Sequence, residues 1–342
     1  MRLSVLDQSP IRRGATPADA VSETLELARL CDRLGFHRYW LAEHHSTGGL
    51  AGSCPEILIP KVASVTENLR VGSGGVMLSH YSALKVAEIF RMLETLYPGR
   101  IDLGIGRAPG SDHKTAMALR TGPGSLPIEY FPRQIADLIG FMNNEVGADH
   151  PFAGIEAMPS GPSSPELWLL GSSAESATFA AHFGCAFSFA HFINPEGGDW
   201  VMQAYKDNFQ SGGLLPEPVG SVAAFVICAD TEEQALHLRK SRDLWVLRLR
   251  QGNPGPVPTP EEADAYPYTD LDRSVIEASR PRSIVGTPEQ VKQRIEELAA
   301  QYRVGEVVVV TICHDFQARL RSYELLADSF GLSAQCPAGA AA

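Results

Sequence analysis

The segment Tyr39–His45 (Tyr-Trp-Leu-Ala-Glu-His-His) joins an apolar run to three ionisable side chains. Its first four residues are typical of a buried β-strand, and they follow a helical pattern that closes at Gly35. Glu43, His44 and His45 come directly after that strand. In an α/β barrel, catalytic groups lie on the loops at the carboxyl ends of the parallel strands. The segment therefore predicts an acid–base cluster at a barrel mouth, with His44 and Glu43 as candidate catalytic residues.

The same cluster has two other interpretations. Histidines at a strand end often only satisfy backbone hydrogen-bonding groups. A zinc site is disfavoured because consecutive strand side chains point to opposite faces, and the helical His-Glu-x-x-His spacing is absent. We therefore predict no metal site.

The composition is that of an ordinary soluble globular protein, with 342 residues of which 44% are apolar and 20% are charged. The net charge is −11 and basic residues form no cluster, so nucleic acid is not an expected partner. The sequence contains no apolar run of about 18 residues and begins with a strand pattern, so neither a membrane span nor a signal peptide is predicted. Six cysteines without paired spacing fit a reducing cytoplasm.

Strand and helix patterns alternate along the chain. Apolar strands are predicted at Arg2–Asp7, Arg38–Ala42, Leu69–Leu78, Ile101–Gly106, Glu166–Gly171, Cys185–Ala190, Ser221–Ala229 and Glu306–Cys313. Helices are predicted between them, for example at Ala18–Leu34, Leu84–Leu96, Ala174–Phe183 and Pro288–Tyr302. Eight such strands predict an α/β fold, a (β/α)₈ TIM barrel that forms one domain over residues 1–330. An open doubly wound sheet is the alternative, but no Gly-x-Gly-x-x-Gly turn follows the first strand.

Residues 251–282 interrupt this alternation and are too long for an ordinary barrel connection. We predict an insertion there, which is either a mobile lid over the active site or a passive surface loop. Residues 331–342 are rich in small residues and are predicted to be a disordered tail.

Three further segments lie at predicted strand ends, on the same face as Glu43. Gly72–Gly75 places glycines late in the third strand, which suggests a flat surface under a ligand, or else a simple β-bulge. Gly104–Arg107 ends the fourth strand with a guanidinium suited to a phosphate or a carboxylate. Gly171–Ser173 ends the fifth strand and opens a helix, so its amides and hydroxyls could bind one phosphate group; ordinary helix capping would explain the serines equally well.

Together these segments resemble the bacterial luciferase-like flavin monooxygenases, from the first strand to about Leu326. The resemblance is carried by Tyr39–His45, by Arg70–Gly75, by Pro98–Arg107 and by Val285–Pro288. It implies a (β/α)₈ barrel that binds FMN at the carboxyl-end mouth. Many members receive reduced FMN from a separate flavin reductase and use O₂ to oxidise an organic substrate.

The resemblance also implies a role for individual residues. His44 corresponds to the histidine that acts beside the flavin, and Glu43 to a carboxylate near the flavin ring. The cofactor-binding positions are Gly74 and Gly75 under the ring with a cis peptide bond between them, Arg107, Ser172, Ser173 and Ser176 at the phosphate, the backbone at Leu170 and Gly171, and His191 against the flavin.

The substrate side of the site is predicted from strand ends alone. Asp7 and Ser9 follow the first strand, and His80 and Tyr81 follow the third. Asp7 could instead only bridge within the barrel mouth. Trp168 and Phe187 are predicted to be core residues.

Some positions depart from luciferase proper. Ser172 stands in place of a carboxylate, His191 in place of a tryptophan and Gly106 in place of a reactive cysteine. Light emission from an aldehyde is therefore not predicted.

The leading hypothesis is an FMN-dependent monooxygenase that acts on paired donors with O₂. One alternative is a deazaflavin-dependent hydride-transfer enzyme on the same scaffold. The other is a flavin-binding carrier or partner subunit without turnover. We expect a cytoplasmic homodimer whose partners are a small organic substrate, O₂ and a flavin reductase acting in trans.

Overall fold

The computed structural model describes residues 1–107, 110, 112–119 and 127–333. Within these residues the strands are β1 (Arg2–Asp7), β2 (Arg38–Leu41), β3 (Arg70–Met77), β4 (Ile101–Gly106), β5 (Glu166–Gly171), β6 (Ala186–Ala190), β7 (Gly220–Cys228), β8 (Ser283–Gly286) and β9 (Glu306–Val310). The helices are α1 (Pro17–Leu34), α2 (Pro55–Ala63), α3 (Ala83–Leu96), α4 (His113–Leu119), α5 (Phe131–Asn143), α6 (Ala174–Phe183), α7 (Gly198–Asp207), α8 (Glu232–Arg250), α9 (Pro260–Ala265), α10 (Asp270–Ser279), α11 (Pro288–Tyr302) and α12 (Phe316–Phe330).

Eight strands close into a parallel barrel in the order β1, β2, β3, β4, β5, β6, β7 and β9, and β9 pairs back with β1. Helices surround this barrel, so the predicted (β/α)₈ fold is confirmed. The strand β8 was not predicted. It adds to the carboxyl-terminal half of β7, where Phe225 pairs with Ser283 and Cys228 with Gly286.

Apolar side chains pack on both faces of the barrel sheet, as expected for parallel strands covered by helices. The outer layer fills the space between the strands and the helices. The interior layer includes Trp40 and Trp168, whose rings meet edge to face with their centroids 5.1 Å apart. Trp168 and Phe187 are fully buried, in agreement with their predicted place in the core.

A network of buried ion pairs closes the end of the barrel at which the strands begin. The guanidinium of Arg38, the first residue of β2, contacts Asp102 at 2.9 Å, Glu166 at 3.0 Å and Glu306 at 3.0 Å. Burial opposes the charged form of Arg38, but these carboxylates raise the pKa of its side chain overall. Because this end is filled by charge pairs and Trp40, an open cavity forms at the opposite end, where the strands finish.

The predicted insertion at residues 251–282 has two structural parts. Residues 251–259 run along the barrel mouth, where the backbone of Val257 exchanges hydrogen bonds of 2.8 Å with Ile11 and Arg13 in the loop after β1. Helices α9 and α10 then pack against α8 through Leu244, Leu247 and Ala263. The second part also reaches the loop after β1, because Glu262 of α9 forms an ion pair of 2.9 Å with Arg13.

Two terminal features complete the description. Gly331 ends α12 with a left-handed conformation, and the N–H of Leu332 donates to the carbonyl oxygen of Ala327 at 2.9 Å. The predicted disorder at residues 331–332 is therefore wrong, because these residues cap a helix, and residues 334–342 lie outside the described part of the chain. Among the described helices, none is both long enough and apolar enough to span a bilayer.

Candidate active site

A cavity of about 360 Å³ lies at the carboxyl ends of the barrel strands. This volume is in the range of small-molecule pockets. Its walls come from residues in or after all eight strands of the barrel, and they include Leu6, Gln8, Trp40, Glu43, His44, Gly74, Gly75, Met77, Gly106, Arg107, Leu170, Gly171, Ser172, Ser173, Ser176, Ser188, Ala190, Phe192, Ile193, Ala223 and Val308. The structure thus brings together Glu43, His44 and all the predicted cofactor-binding residues except His191.

Gly74 and Gly75 form a part of the cavity wall that has no side chains. The peptide bond between them is cis, as predicted. A Cβ atom on Gly74 would lie 2.5 Å from Cδ1 of Leu6, and one on Gly75 would lie 2.7 Å from the carbonyl oxygen of Gly104. No other residue type fits at either position without displacing its neighbours, so the wall presents bare backbone to a ligand.

The Glu43 carboxylate is 1% exposed and its oxygens are occupied by protein donors. Oε1 accepts from the Tyr81 hydroxyl at 2.7 Å and lies 2.7 Å from Nε2 of His45, while Oε2 accepts from the N–H of Met77 at 2.9 Å. Glu43 therefore fixes the end of β3 beneath the cavity. It makes no hydrogen bond with the His44 side chain in the described part of the chain, and its catalytic role stays a prediction.

His44 lines the cavity, and one of its ring nitrogens makes no hydrogen bond to the described residues. Its backbone N–H donates to the carbonyl oxygen of Gly52 at 2.8 Å, which fixes the residue in the loop after β2. The ring atom Nδ1 is buried and has no hydrogen-bond partner in the described part of the chain. Burial, with a smaller contribution from His45, lowers the pKa of the ring to about 4. His44 is therefore neutral at pH 7 and can exchange a hydrogen bond or a proton with a bound ligand.

A second part of the cavity is suited to an anion. Arg107, which follows β4, pairs with Glu175 in the first turn of α6, and both side chains remain substantially exposed. Ser173 precedes α6 without capping it, and its Oγ lies 3.4 Å from Oγ of Ser176. Gly171 allows this approach because a Cβ there would lie 2.3 Å from Oγ of Ser176. A guanidinium, serine hydroxyls and a helix amino terminus are groups that favour an anion, and the phosphate contacts of these residues stay a prediction.

His191 does not lie on the cavity wall formed by the described residues. Its ring is held away by hydrogen bonds of 3.0 Å to the Tyr302 hydroxyl and 3.1 Å to the carbonyl oxygen of Pro281. The next two residues, Phe192 and Ile193, take its place in the wall. The cavity wall therefore contains these apolar neighbours in place of His191, and the contact of His191 with a flavin stays a prediction.

The residues predicted for the substrate side are also occupied elsewhere. Asp7 is fully buried and accepts from the Arg319 guanidinium at 2.8 Å and from the Tyr39 hydroxyl at 2.6 Å. The Ser9 hydroxyl accepts from Thr24 at 2.9 Å. Asp7 thus bridges within the barrel, as the alternative interpretation held, and Ser9 supports the loop after β1.

Tyr81 and His80 lie behind the cavity wall rather than on it. The Tyr81 hydroxyl donates to Glu43 as described above, and the His80 ring packs edge to face against the Tyr81 ring with the centroids 6.2 Å apart. Both residues are therefore positioned to support Glu43, and their contact with a substrate stays a prediction.

Comparisons with known proteins identify relatives over nearly the whole chain. The sequence model of the luciferase-like monooxygenase family matches residues 1–304. The chain is 46% identical to YceB of Bacillus subtilis over 330 residues, which cover 96% of this chain and 99% of YceB. It is 36% identical to the N-acetyl-S-alkylcysteine monooxygenase of the same species over 334 residues, covering 96% and 98% of the two chains.

Solved structures give the same result at the level of the fold. The sequence of MsnO8, whose apo crystal structure is known, is 38% identical to this chain. The two structures superpose with a TM-score of 0.89 over 98% of this chain and 99% of MsnO8. The FMN complex of the oxygenating constituent of 3,6-diketocamphane monooxygenase from Pseudomonas putida, at 19% identity and a TM-score of 0.70, shares the fold. So does an F420-dependent secondary alcohol dehydrogenase, at 13% identity and a TM-score of 0.66.

Proposed function

Because the chain belongs to the luciferase-like monooxygenase family, we propose that it is an FMN-dependent monooxygenase that uses O₂ to oxidise a small organic substrate. The observation that carries this proposal is the make-up of one cavity. A bare glycine surface and the unpaired Nδ1 of His44 share it with the cationic, hydroxyl-rich site around Arg107. FMN has the matching parts, a flat ring system and a single phosphate.

The residues present fit FMN in both parts of the cavity. Arg107, Ser172, Ser173 and Ser176 would hold the phosphate, where charge-assisted hydrogen bonds are strongest. Gly74 and Gly75 would lie against the ring, since both line the cavity and carry no side chain. Binding energy at the phosphate would then position the reactive ring, which lies at a distance from these contacts.

Bound in reduced form, FMN supplies two electrons, so that one atom of O₂ enters the substrate and the other leaves as water. The protein's part is to hold a proton and to exclude water. His44 would accept or donate a proton through Nδ1, and Glu43 would keep β3 in place through the N–H of Met77. Apolar groups such as Leu170, Phe192 and Ile193 would keep bulk water from the reacting atoms.

We also propose that a separate flavin reductase supplies the reduced cofactor. Two similar proteins are named as parts of larger systems, the oxygenase component of a trigonelline monooxygenase of Acinetobacter baylyi and the oxygenating constituent from Pseudomonas putida. The first is 23% identical over 304 residues, which cover 83% of this chain and 82% of that relative.

The remaining proposals concern assembly and location. A homodimer is supported by apolar side chains left exposed on α2 and α3, namely Ile57, Met92 and Leu96. A reducing cytoplasm is supported by the five described cysteines, which are all free thiols.

The function is tested with purified protein, photoreduced FMN and a panel of organic substrates. We expect FMN binding, O₂ uptake that rises with a substrate, and one oxygenated product per O₂. Substrate oxidation that requires a deazaflavin and no O₂ would instead support the hydride-transfer alternative. Tight FMN binding without any substrate-dependent O₂ uptake would support a carrier.

A further inference from the structure

Arg242, in the middle of α8, is a buried cation without a hydrogen-bond partner. Its side chain is 1% exposed, and the atoms Nε and Nη1 are buried and unpaired in the described part of the chain. A buried guanidinium is strongly unfavourable unless an anion or several acceptors surround it. The described residues give this cation one carboxylate neighbour, Asp243, and the Phe225 ring, but no hydrogen bond at Nε or Nη1.

The neighbouring carboxylate does not fill this role. Oδ1 of Asp243 lies 3.5 Å from Nη1 of Arg242 and makes no hydrogen bond, and Oδ2 of Asp243 pairs with Arg239. Adjacent residues on a helix point in different directions, which explains the poor geometry. Burial lowers the pKa of Arg242 to about 10, and the positive charge of Arg282 acts in the same direction. Nε of Arg282 is also buried and unpaired.

Arg242 lies next to the aromatic wall of the cavity. Its guanidinium stacks over the Phe225 ring at 4.3 Å from the centroid, and the Phe225 ring packs edge to face on Phe192 at 5.3 Å. Phe192 is a wall residue of the cavity. Trp245, one helical turn after Arg242, packs with Phe225 in the barrel-interior layer. The cation is thus separated from the cavity by two rings, those of Phe225 and of the partly exposed Phe192.

We propose that Arg242 anchors the carboxylate of a small organic-acid substrate. A guanidinium matches a carboxylate in charge and in planar geometry. The apolar surroundings at Phe225 and Trp245 suit the hydrocarbon part of such an acid and not a phosphate dianion, whose donors lie at Arg107 and the serines. Movement of Phe192 together with the Phe225 ring admits the acid, whose other end then lies in the cavity beside Gly74 and Gly75.

This inference rests on the proposed function only in one respect, the oxidation of the other end of the acid. The test of the Arg242 anchor therefore measures binding and not turnover. Isothermal titration calorimetry compares hexanoate with hexanamide, and benzoate with benzamide, on the full chain without flavin and after FMN loading. We expect each carboxylate to bind at least about tenfold more tightly than its amide, as for a charge-assisted bidentate pair. Arg242→Met should abolish this preference and leave FMN affinity unchanged.

Arg250→Met is the matched control, since Arg250 is on the same helix and exposed. It makes the same charge change and should keep the preference for carboxylates. The proposal is overturned if the parent protein does not distinguish acid from amide, or if Arg242→Met still does. Should the methionine variant fail to fold, Arg242→Gln gives the same comparison. If the parent protein fails to bind FMN, that result contradicts the proposed function alone.

Discussion

The proposed phosphate contact of Arg107 can be tested by comparing two flavins. We expect Arg107→Ala to weaken FMN binding by more than about tenfold, because a charge-assisted contact contributes about 1.5–3 kcal/mol. Riboflavin, which lacks the phosphate, should bind the variant and the parent equally. Fluorescence titration with both flavins measures the two effects. Equal weakening for FMN and riboflavin would show that Arg107 supports the fold and not the phosphate.

Removal of the Glu175 charge should have the opposite effect on FMN binding at the same site. Its carboxylate pairs with Arg107 and would face the phosphate with a like charge. We expect Glu175→Gln to tighten FMN binding by about two- to fivefold, since an exposed ion pair is worth only about 0.2–1 kcal/mol. The gain should shrink at high salt, which screens exposed charges. Weaker FMN binding in this variant would instead mean that Glu175 orients Arg107 for the ligand.

His44 is tested by the coupling of oxygen use to product. In His44→Asn we expect near-parental FMN affinity and a loss of product of about 10²-fold or more, the usual contribution of a placed acid or base. Oxygen uptake should continue and yield hydrogen peroxide. His182→Asn, at an exposed position on α6, is the control and should remain coupled. A His44 variant with parental product per O₂ would remove this residue from the chemistry.

The residues of the site show where sequence reasoning reaches its limit. Glycines at 74 and 75 and the arginine at 107 could be located because strand ends in a parallel barrel converge. The exchange of His191 for Phe192 could not be foreseen, because a tight turn after β6, with the N–H of Ile193 bonded to the carbonyl oxygen of Ala190, decides which side chain faces inward. The residues that bind Glu43 and Asp7 could not be predicted either, because they are distant in the sequence.

At the scale of elements, the contact between the loop after β2 and residues 251–259 can be tested with one methyl group. A Cβ on Gly49 would lie 2.1 Å from the carbonyl oxygen of Gly255, whereas a Cβ on Gly255 would meet nothing within 4 Å. We expect Gly49→Ala to push this segment away, at a loss of about 1–3 kcal/mol in folding free energy. Hydrogen exchange at residues 251–259 should rise in Gly49→Ala and stay unchanged in Gly255→Ala.

The outcome also bears on the lid hypothesis. If the displaced segment leaves the ratio of product to peroxide unchanged, residues 251–259 do not shield the reaction. Faster exchange together with more peroxide would support a shielding role. No change in exchange in either variant would contradict the packing of Gly49 against Gly255.

The elements that escaped prediction are the short ones. The strand β8 has four residues, too few to show a period, and it pairs only with the end of β7. The capping residues Thr259 and Thr269 directly precede α9 and α10, but the surrounding prolines favoured a loop. The long helices α1 and α11 were predicted almost to the residue, because capping signals and an apolar period agree there.

For the whole molecule, the regular alternation of apolar strands and amphipathic helices was sufficient to predict a closed parallel barrel. Closure brings residues from the two ends of the chain together, as when Arg2 of β1 pairs with Glu306 of β9. The alternation does not specify the buried charges that this closure encloses. Arg38 with its three carboxylates and the pair of Asp7 with Arg319 become partners only when the barrel forms.

The buried histidines predict how the whole molecule responds to acid. Burial lowers the pKa of both His37 and His44 to about 4, below the usual value of 6.5. Between these values the unfolded chain binds more protons than the folded one, so stability falls as the pH drops from 6.5 to 4. The paired carboxylate of Asp7, whose pKa is lowered from 3.8, adds its own loss only at still lower pH.

We expect a decrease of about 1–3 kcal/mol per histidine over that window, since one pKa unit corresponds to 1.36 kcal/mol and both side chains are partly exposed. Urea unfolding of the parent, His37→Gln, His44→Gln and the double variant at pH 7 and pH 4.5 measures it. Each substitution should reduce the difference in unfolding free energy between the two pH values, and the two reductions should add because the sites are not in contact. If the double variant keeps the parental difference in unfolding free energy between the two pH values, the carboxylates and not these histidines account for the acid sensitivity. In that case the protonation state of His44 would have to be measured in a ligand complex, where a ligand at Nδ1 sets it.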